Sequence, residues 1–260
     1  MNYKKRLRAP FGASIFYTMA GSVRRFFNNI ICSTIRDKET RRRIRVVLNS
    51  DMLSNLRFIR RDLGVPLRRI RTYVGYRASN LLISVNDKYI YKFALRRDNS
   101  DELAMREYRV VNCLGKISPI YVPPVTILRH NGHLVRKYEY IHGVQLRKCT
   151  PEWVATHTDE LAPQCARFMY EMGIADPIEI RDLKPSPDAK TGYCYGWTQG
   201  DLCDNFLIDT DTARVVAIID WEDCMFGDFT HQLKGDKEPT IRKFMDRVVI
   251  EYDKLFYKKD

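Results

Sequence analysis

The sequence predicts an α+β fold in two lobes, a small antiparallel sheet followed by a mainly helical half, with a basic helical extension ahead of both. Three observations carry that expectation. Apolar residues recur at helical spacing as far as Leu63, and short β-rich segments separated by Asn, Asp and Gly turns run from Ile70 to Ile141. A long apolar-periodic segment from Glu152 to Gly173 then opens a stretch that closes on a further helix. At 260 residues, with 45% hydrophobic and 29% charged residues, the chain has the make-up of a folded globular protein. The expected divisions are 1–66 for the extension, 67–143 for the first lobe and 144–260 for the second.

Composition narrows the functional classes. No run of about 18 apolar residues occurs, so no spanning helix is expected. The N-terminus has Lys and Arg but lacks the apolar core and cleavage site of a secretory signal. Seven Cys without a CxxC pair suit a reducing cytosol better than a disulfide framework, which makes a cytoplasmic location the expectation. The net charge of +12 is concentrated at one end: residues 1–72 carry 18 Lys and Arg against 4 Asp and Glu, and the remainder carries 26 against 28. Such a field attracts phospholipid head groups, phosphorylated glycans or nucleic acid.

In the extension, Phe16, Met19, Val23, Phe26, Phe27, Ile30 and Ile31 predict an amphipathic helix over 14–31, with Arg24 and Arg25 between them. Its apolar side either packs on the body or lies peripherally on an anionic inner membrane face. A second helix is expected over Lys38 to Leu48 and a third over Met52 to Leu63, the latter closed by Gly64 and Pro66. The Arg41-Arg42-Arg43 run reads as a solvated helix face or a phosphate contact.

From Ile70 the texture changes to strands. Tyr73 to Asn80 leads into Leu81-Leu82-Ile83, and after an Asn86-Asp87 turn the chain returns through Tyr89 to Phe93. A strand, a turn with Gly75, Ser79 and Asn80, and a return strand make a flap whose backbone N–H groups can face phosphates. Lys92 sits mid-strand among aromatic and apolar neighbours, where burial demands an anionic partner. Glu107, on the inward side of a helix marked by Leu103, Tyr108, Val111 and Leu114, supplies one. Tyr121 to Val125 is expected to open a strand, His130-Asn131-Gly132 to turn it, and Leu134 to Ile141 to return, ending the first lobe near Gly143.

The second lobe begins with a helix over Glu152 to Gly173 that Pro163 is expected to break or kink. Residues 174–197 read as loop and include Ile180-Arg181-Asp182-Leu183-Lys184-Pro185. The stretch Thr198 to Asp228 places Asp201 in a turn, follows it with Asn205 and a strand (Phe206 to Ile208), and returns through Val215 to Ile219 to deliver Asp220. Moving a γ-phosphoryl group requires positioning and charge neutralisation more than covalent chemistry. One carboxylate takes the acceptor's hydroxyl proton, while a second carboxylate and an Asn oxygen hold magnesium against the nucleotide phosphates. Asp201 fits the first role, Asn205 and Asp220 the second. The alternative is that these Asp and Asn residues only build hairpin turns.

The motif QGDLCDNFLID…VVAIIDWEDCMFGD resembles the HGDxxxxNxLxD…IIDWExAxxGD signature of the aminoglycoside phosphotransferase and choline kinase family, relatives of the protein kinases. Gln199 stands where that family has His, and Asn205 follows Asp201 by four residues where the family has five, which leaves Asp204 to share the metal role. Asp182, in a segment that looks like a protein-kinase catalytic loop, competes with Asp201 for the role of base. Asp220 lies 38 residues beyond Asp182 and 19 beyond Asp201, and the family's interval is close to the latter, which favours Asp201. Gly75 with Ser79-Asn80 resembles the family's nucleotide loop. Lys92 and Glu107 resemble the strand-lysine and helix-glutamate couple that grips the α- and β-phosphates. VRKYEYIHG resembles the crossing between lobes, which implies that Tyr138 faces the adenine and that the Glu139 carbonyl and Ile141 N–H bond the base edge.

The resemblance implies a protein-kinase-like fold, ATP and Mg2+ as cofactors, and transfer of a γ-phosphoryl group to a hydroxyl of a small-molecule or lipid- or glycan-linked acceptor. Only 32 residues follow Asp228, fewer than the remaining elements of a protein kinase require, which disfavours a protein acceptor. His231, Gln232, Asp223, Asp228 and the final helix, expected from Thr240 to Phe256, would line the acceptor site. Two other readings stay open. Gln199 and the shortened interval admit a nucleotide-binding protein without efficient transfer, and the first 72 residues admit a basic adaptor for membrane or, less favoured, nucleic acid.

Overall fold

A computed structural model describes residues 36–74, 79–95, 99–186, 188–233 and 238–258. The expected helix over 14–31, the flap residue Gly75 and the side chains of Arg42, Arg43 and His231 lie outside the described parts. Two helices lead into the sheet. Helix α1 (Lys38–Asn49) starts on Asp37, whose carboxylate accepts from the Thr40 N–H at 2.6 Å. Helix α2 (Met52–Leu63) starts in the same way on Asp51, which accepts from the Ser54 N–H at 3.3 Å. Each cap satisfies a donor that the first helical turn leaves unpaired. Helix α2 stops at Gly64, whose φ of 66° a side-chain-bearing residue adopts only at a cost.

Five antiparallel strands follow: β1 (Arg71–Val74), β2 (Asn80–Val85), β3 (Tyr89–Ala94), β4 (Thr126–His130) and β5 (His133–Glu139), in the order β1-β2-β3-β5-β4. Asn86 and Asp87 turn the β2–β3 hairpin with φ of 58° and 51°, and Asn131 and Gly132 turn β4–β5 with 50° and 82°. These are the residue types that reach left-handed backbone most cheaply, which is why both turns fall where the sequence placed them. Residues 121–125, expected to open a strand, form no strand and do not pair with the sheet. The side-chain amide of Asn112 takes the place of a neighbouring strand, exchanging hydrogen bonds with the Val125 N–H and C=O, both at 3.1 Å.

Alternation along the strands gives the sheet two different faces. Leu81, Ile83, Val85, Tyr91, Phe93 and Val135 point one way and form a core with Ile59 of α2. The Tyr91 hydroxyl donates to the Asp62 carboxylate at 2.6 Å, and Phe58 stacks on His130 at 4.5 Å, pinning α2 to that face. Asn80, Leu82, Lys92, Arg136 and Tyr138 occupy the opposite set of positions. Helix α3 (Ser100–Leu114) sends Glu107 to that second face.

Past the sheet, the short strand β6 (Val144–Gln145) leads into the helical half. The single helix expected over 152–173 is two, α4 (Pro151–Thr156) and α5 (Thr158–Ile174). The break falls at His157, and Pro163 sits undisturbed in the second turn of α5, where it forgoes one intrahelical bond. The Thr156 and Thr158 hydroxyls donate to the carbonyls of Glu152 and Val154 at 2.9 and 2.8 Å, satisfying the end of α4. Asp159 and Glu160 then open α5, where negative charge is favoured.

Beyond the 3-10 segment Ile178–Leu183 runs strand β7 (Tyr195–Thr198). A one-turn helix α6 (Leu202–Asn205) then leads to β8 (Phe206–Asp209), which pairs with β6 and with β9 (Arg214–Ile218), and β10 (Met225–Asp228) returns to pair with β7. Helix α7 (Thr230–Leu233) and helix α8 (Pro239–Tyr257) follow, with α8 packed on α5. The main core lies here, around Phe168, Trp197, Phe206, Trp221, Phe244 and Tyr252. Strand β7 crosses α5 backbone to backbone: a Cβ on Gly196 would lie 1.9 Å from the Gly173 carbonyl oxygen. Among the described residues no helix is long and apolar enough to cross a membrane.

Candidate active site

The sheet contributes a buried charged cluster. Register places Leu82 opposite Lys92 and Lys92 opposite Arg136, so the two cations are neighbours on one face. Lys92 and Arg136 are each 3% exposed and Glu107 1%, a depth at which charge must be paired. Lys92 Nζ lies 2.5 Å from Asp220 Oδ1 and 2.9 Å from Glu222 Oε2, but 3.9 Å from Glu107 Oε2. The close partners of Glu107 are instead Arg136 Nη1, at 2.6 Å, and the Tyr138 hydroxyl, at 2.8 Å. A guanidinium on the adjacent strand is a better match for the buried carboxylate than the single ammonium, and it leaves Lys92 to reach across the cleft.

Glu222 closes the cluster from the loop side. It accepts from Arg136 Nη1 at 3.1 Å and from Asn80 Nδ2 at 3.1 Å to each oxygen, while Arg136 Nη2 donates to Asn80 Oδ1 at 2.9 Å. Burial alone would lower the Lys92 ammonium, but the Glu107 and Asp220 carboxylates outweigh it and hold the group above its ordinary value. Lys92 is therefore charged at neutral pH. Burial, reinforced by the Glu107 carboxylate, pushes the Tyr138 phenol well up and keeps it a donor.

The loop half is organised by Gln199, a fully buried amide. Its Nε2 donates to the carbonyls of Ile219 at 3.1 Å and Asp220 at 2.5 Å, and its Oε1 accepts from the Asp201 N–H at 2.8 Å. One side chain thus clamps the two carboxylate-bearing segments together, a task within reach of an amide or an imidazole because both carry a donor and an acceptor. Gly200, at φ 107°, leaves no room for a side chain, since a Cβ there would lie 2.9 Å from the Asp223 carbonyl oxygen. Asn205 Nδ2 donates to the Asp201 carbonyl at 2.8 Å, and among the described residues no donor reaches its Oδ1. Asp220 itself has φ of 59°, a left-handed backbone that is uncommon outside glycine and that the surrounding structure must hold in place.

Asp204 lies in α6 immediately before Asn205, and its bonds run to the segment after β5. Arg147 Nε donates to its carboxylate, and Gln145 Nε2 donates to its carbonyl at 2.7 Å, so a cation already occupies the Asp204 side chain. Partial desolvation, then the neighbouring Asp204 carboxylate, raises the Asp201 carboxyl above its ordinary value, while Arg147 works in the opposite direction.

Asp182 stands apart from this cluster. Arg109 of α3 grips both its oxygens, at 2.8 and 2.6 Å, and also donates to the Glu179 carbonyl at 2.8 Å, so the Ile180 to Pro185 segment serves as a clasp between α3 and the second lobe. Of the residues expected to line an acceptor site, Asp228 Oδ1 accepts from the Thr230 N–H at 2.7 Å, and Gln232 Oε1 accepts from the Thr198 hydroxyl at 2.7 Å. Burial, then Glu222, raises the Asp223 carboxyl.

Between the sheet and the loops lies a cavity of about 980 Å³, bordered by Leu82, Lys92, Tyr138, Asn205, Ile218 and Asp220, with Glu139 and Ile141 at its edge. Asn80, Glu107 and Asp201 do not border it: the first two stand among the charges around Lys92, and Asp201 is exposed near Asn205. Ser79 adjoins Asn80, its Oγ 3.3 Å from Nδ2. Sequence reasoning missed Arg136 and Glu222. The available signals were a charged residue two positions before Tyr138 on one strand face, and a carboxylate two positions after Asp220.

No protein-family model matches the sequence, and no curated protein matches it. Solved structures do. The GDP complex of wild-type aminoglycoside 2'-phosphotransferase-IIIa is 19% identical over 78% of this chain and 83% of that one, with a TM-score of 0.61. The streptomycin–ATP–APH(2")-IIa ternary complex is 15% identical over 76% and 82%, with a TM-score of 0.60. ADP-bound APH(2'')-Ib is 13% identical over 75% and 81%, with a TM-score of 0.58.

Proposed function

We propose that this chain, which shares the two-lobed, protein-kinase-like fold of aminoglycoside phosphotransferases, transfers the γ-phosphoryl group of ATP to a hydroxyl of a small-molecule acceptor. The observation that carries this reading is the meeting of Lys92 and Asp220 at 2.5 Å on the border of a cavity large enough for a nucleotide. In this reading Lys92 holds the α- and β-phosphates, Gly75, Ser79 and Asn80 are assigned to phosphate binding, and Tyr138, Glu139 and Ile141 to binding the base. Asp201 accepts the proton of the acceptor hydroxyl as its oxygen bonds to the γ-phosphorus and the bond to the β-phosphate oxygen breaks, releasing ADP.

The donor set suits magnesium. Asn205 Oδ1 and the Asp220 carboxylate are hard oxygen donors, and magnesium is commonly held by one or two carboxylates plus substrate phosphates. Asn205 and Asp220 would hold the ion, which would supply positive charge to offset that of the phosphates.

The test is ATP consumption across a panel of hydroxylated metabolites, aminoglycosides and lipid-linked sugars, with wild type set against Asp201→Asn. Acceptor-dependent ADP release is expected in wild type and a loss of about 10²- to 10⁴-fold in the variant. Nucleotide binding without acceptor-dependent release in wild type would favour the non-transferring alternative.

A further inference from the structure

The cavity has a wall that the two lobes do not supply. Helix α1 precedes both α2 and the sheet and packs beside the edge strand β1. Its Thr40, Ile44 and Val47 border the same cavity as Lys92, Tyr138 and Asp220. Spacings of four and three residues put these three on one helix face, and the exposed Arg45 lies off it. Ile44 and Val47 remain partly exposed, as residues do when they face an open cavity. The aliphatic side chains of Val74, Leu82, Ile90, Leu207 and Ile218 complete its apolar lining. An apolar space that ends in Lys92 and Asp220 suits a flat aromatic base joined to a charged phosphate chain.

We propose that α1 forms the base-side wall of the nucleotide site, so that residues ahead of the two lobes take part in recognising the nucleoside. This rests on the nucleotide reading above. Ile44 and Val47 would cover one side of the base by apolar contact, and they would have no part in holding the phosphates.

The experiment compares binding of ATP with binding of tripolyphosphate, which carries the phosphates without the base, in the full chain. Wild type is expected to bind ATP more tightly, and Ile44→Asn to lose about tenfold in ATP affinity with tripolyphosphate unchanged. Val47→Ala is expected to show a smaller loss confined to ATP. Amide exchange over residues 38–49 should slow with ATP and not with tripolyphosphate. If ATP affinity is unchanged in both variants, or if both variants lose ATP and tripolyphosphate alike, the proposal is overturned while the nucleotide reading stands. A wild type that binds neither ligand overturns both.

Discussion

Lys92 and Asp220, 128 residues apart in the chain, meet at 2.5 Å and, together with Glu222 at 2.9 Å from the same ammonium, join the sheet to the carboxylate-bearing loops. Lys92 is buried, whereas the Asp220 side chain is 49% exposed, so solvent screens part of the interaction. Lys92→Met is expected to reduce folding stability by about 1–3 kcal/mol and to abolish ATP binding. Denaturant unfolding and equilibrium binding check the two effects separately.

Arg136 has a deeper role in stability. Its removal leaves the Glu107 side chain, with no exposed surface, facing only the Tyr138 hydroxyl and a lysine 3.9 Å away. Arg136→Met should destabilise the fold by about 3–5 kcal/mol, and adding Glu107→Leu should recover most of that loss. A double variant whose loss equals the sum of the Arg136→Met and Glu107→Leu losses would show that the two side chains are not coupled.

The Asp201 carboxyl, raised by partial desolvation and by Asp204, sets the acid limb of the rate profile if it serves as the base. Asp204→Asn removes a repelling charge and should move that limb to lower pH, and Arg147→Gln removes a favourable one and should move it higher. The same shift bears on folding. A carboxyl whose folded pKa is raised binds more protons folded than unfolded, so its contribution is most favourable below the ordinary carboxylate range and is lost as pH rises through the folded value. Asp201→Asn should therefore raise the melting temperature at neutral pH while removing activity, which thermal scans at two pH values would reveal.

Asp182 is expected to be dispensable for transfer. Its exposed pairing with Arg109 predicts that Asp182→Asn leaves the melting temperature close to that of wild type and kcat unchanged. A large fall in kcat would reassign the base.

Much of this architecture is legible in local chemistry. Gly64 and Pro66 mark the end of α2, and Asn86-Asp87 and Asn131-Gly132 mark the two hairpins, because helix stops and left-handed turns depend on the residues that form them. The break at His157 was not legible, since it depends on threonine hydroxyls bonding back to carbonyls where proline was the more obvious signal. At the site, the order of Lys92, Glu107, Asn205 and Asp220 was readable, and the structure sets Lys92, Asn205 and Asp220 on one cavity, with Glu107 behind Lys92 at 3.9 Å. Arg136 and Glu222 were not, because their positions follow from strand register and from a contact between distant segments.

The crossing of Gly173 and Gly196 limits how this molecule can diversify. Bare main chain meets bare main chain there, and strand β7 runs from that seam to Gln199 and Asp201. Walls made of side chains can be retailored one substitution at a time, but a methyl group at 196 would wedge the strand away from its helix and carry the Asp201 loop with it. New ligand preferences are thereby channelled into surfaces that leave this seam untouched.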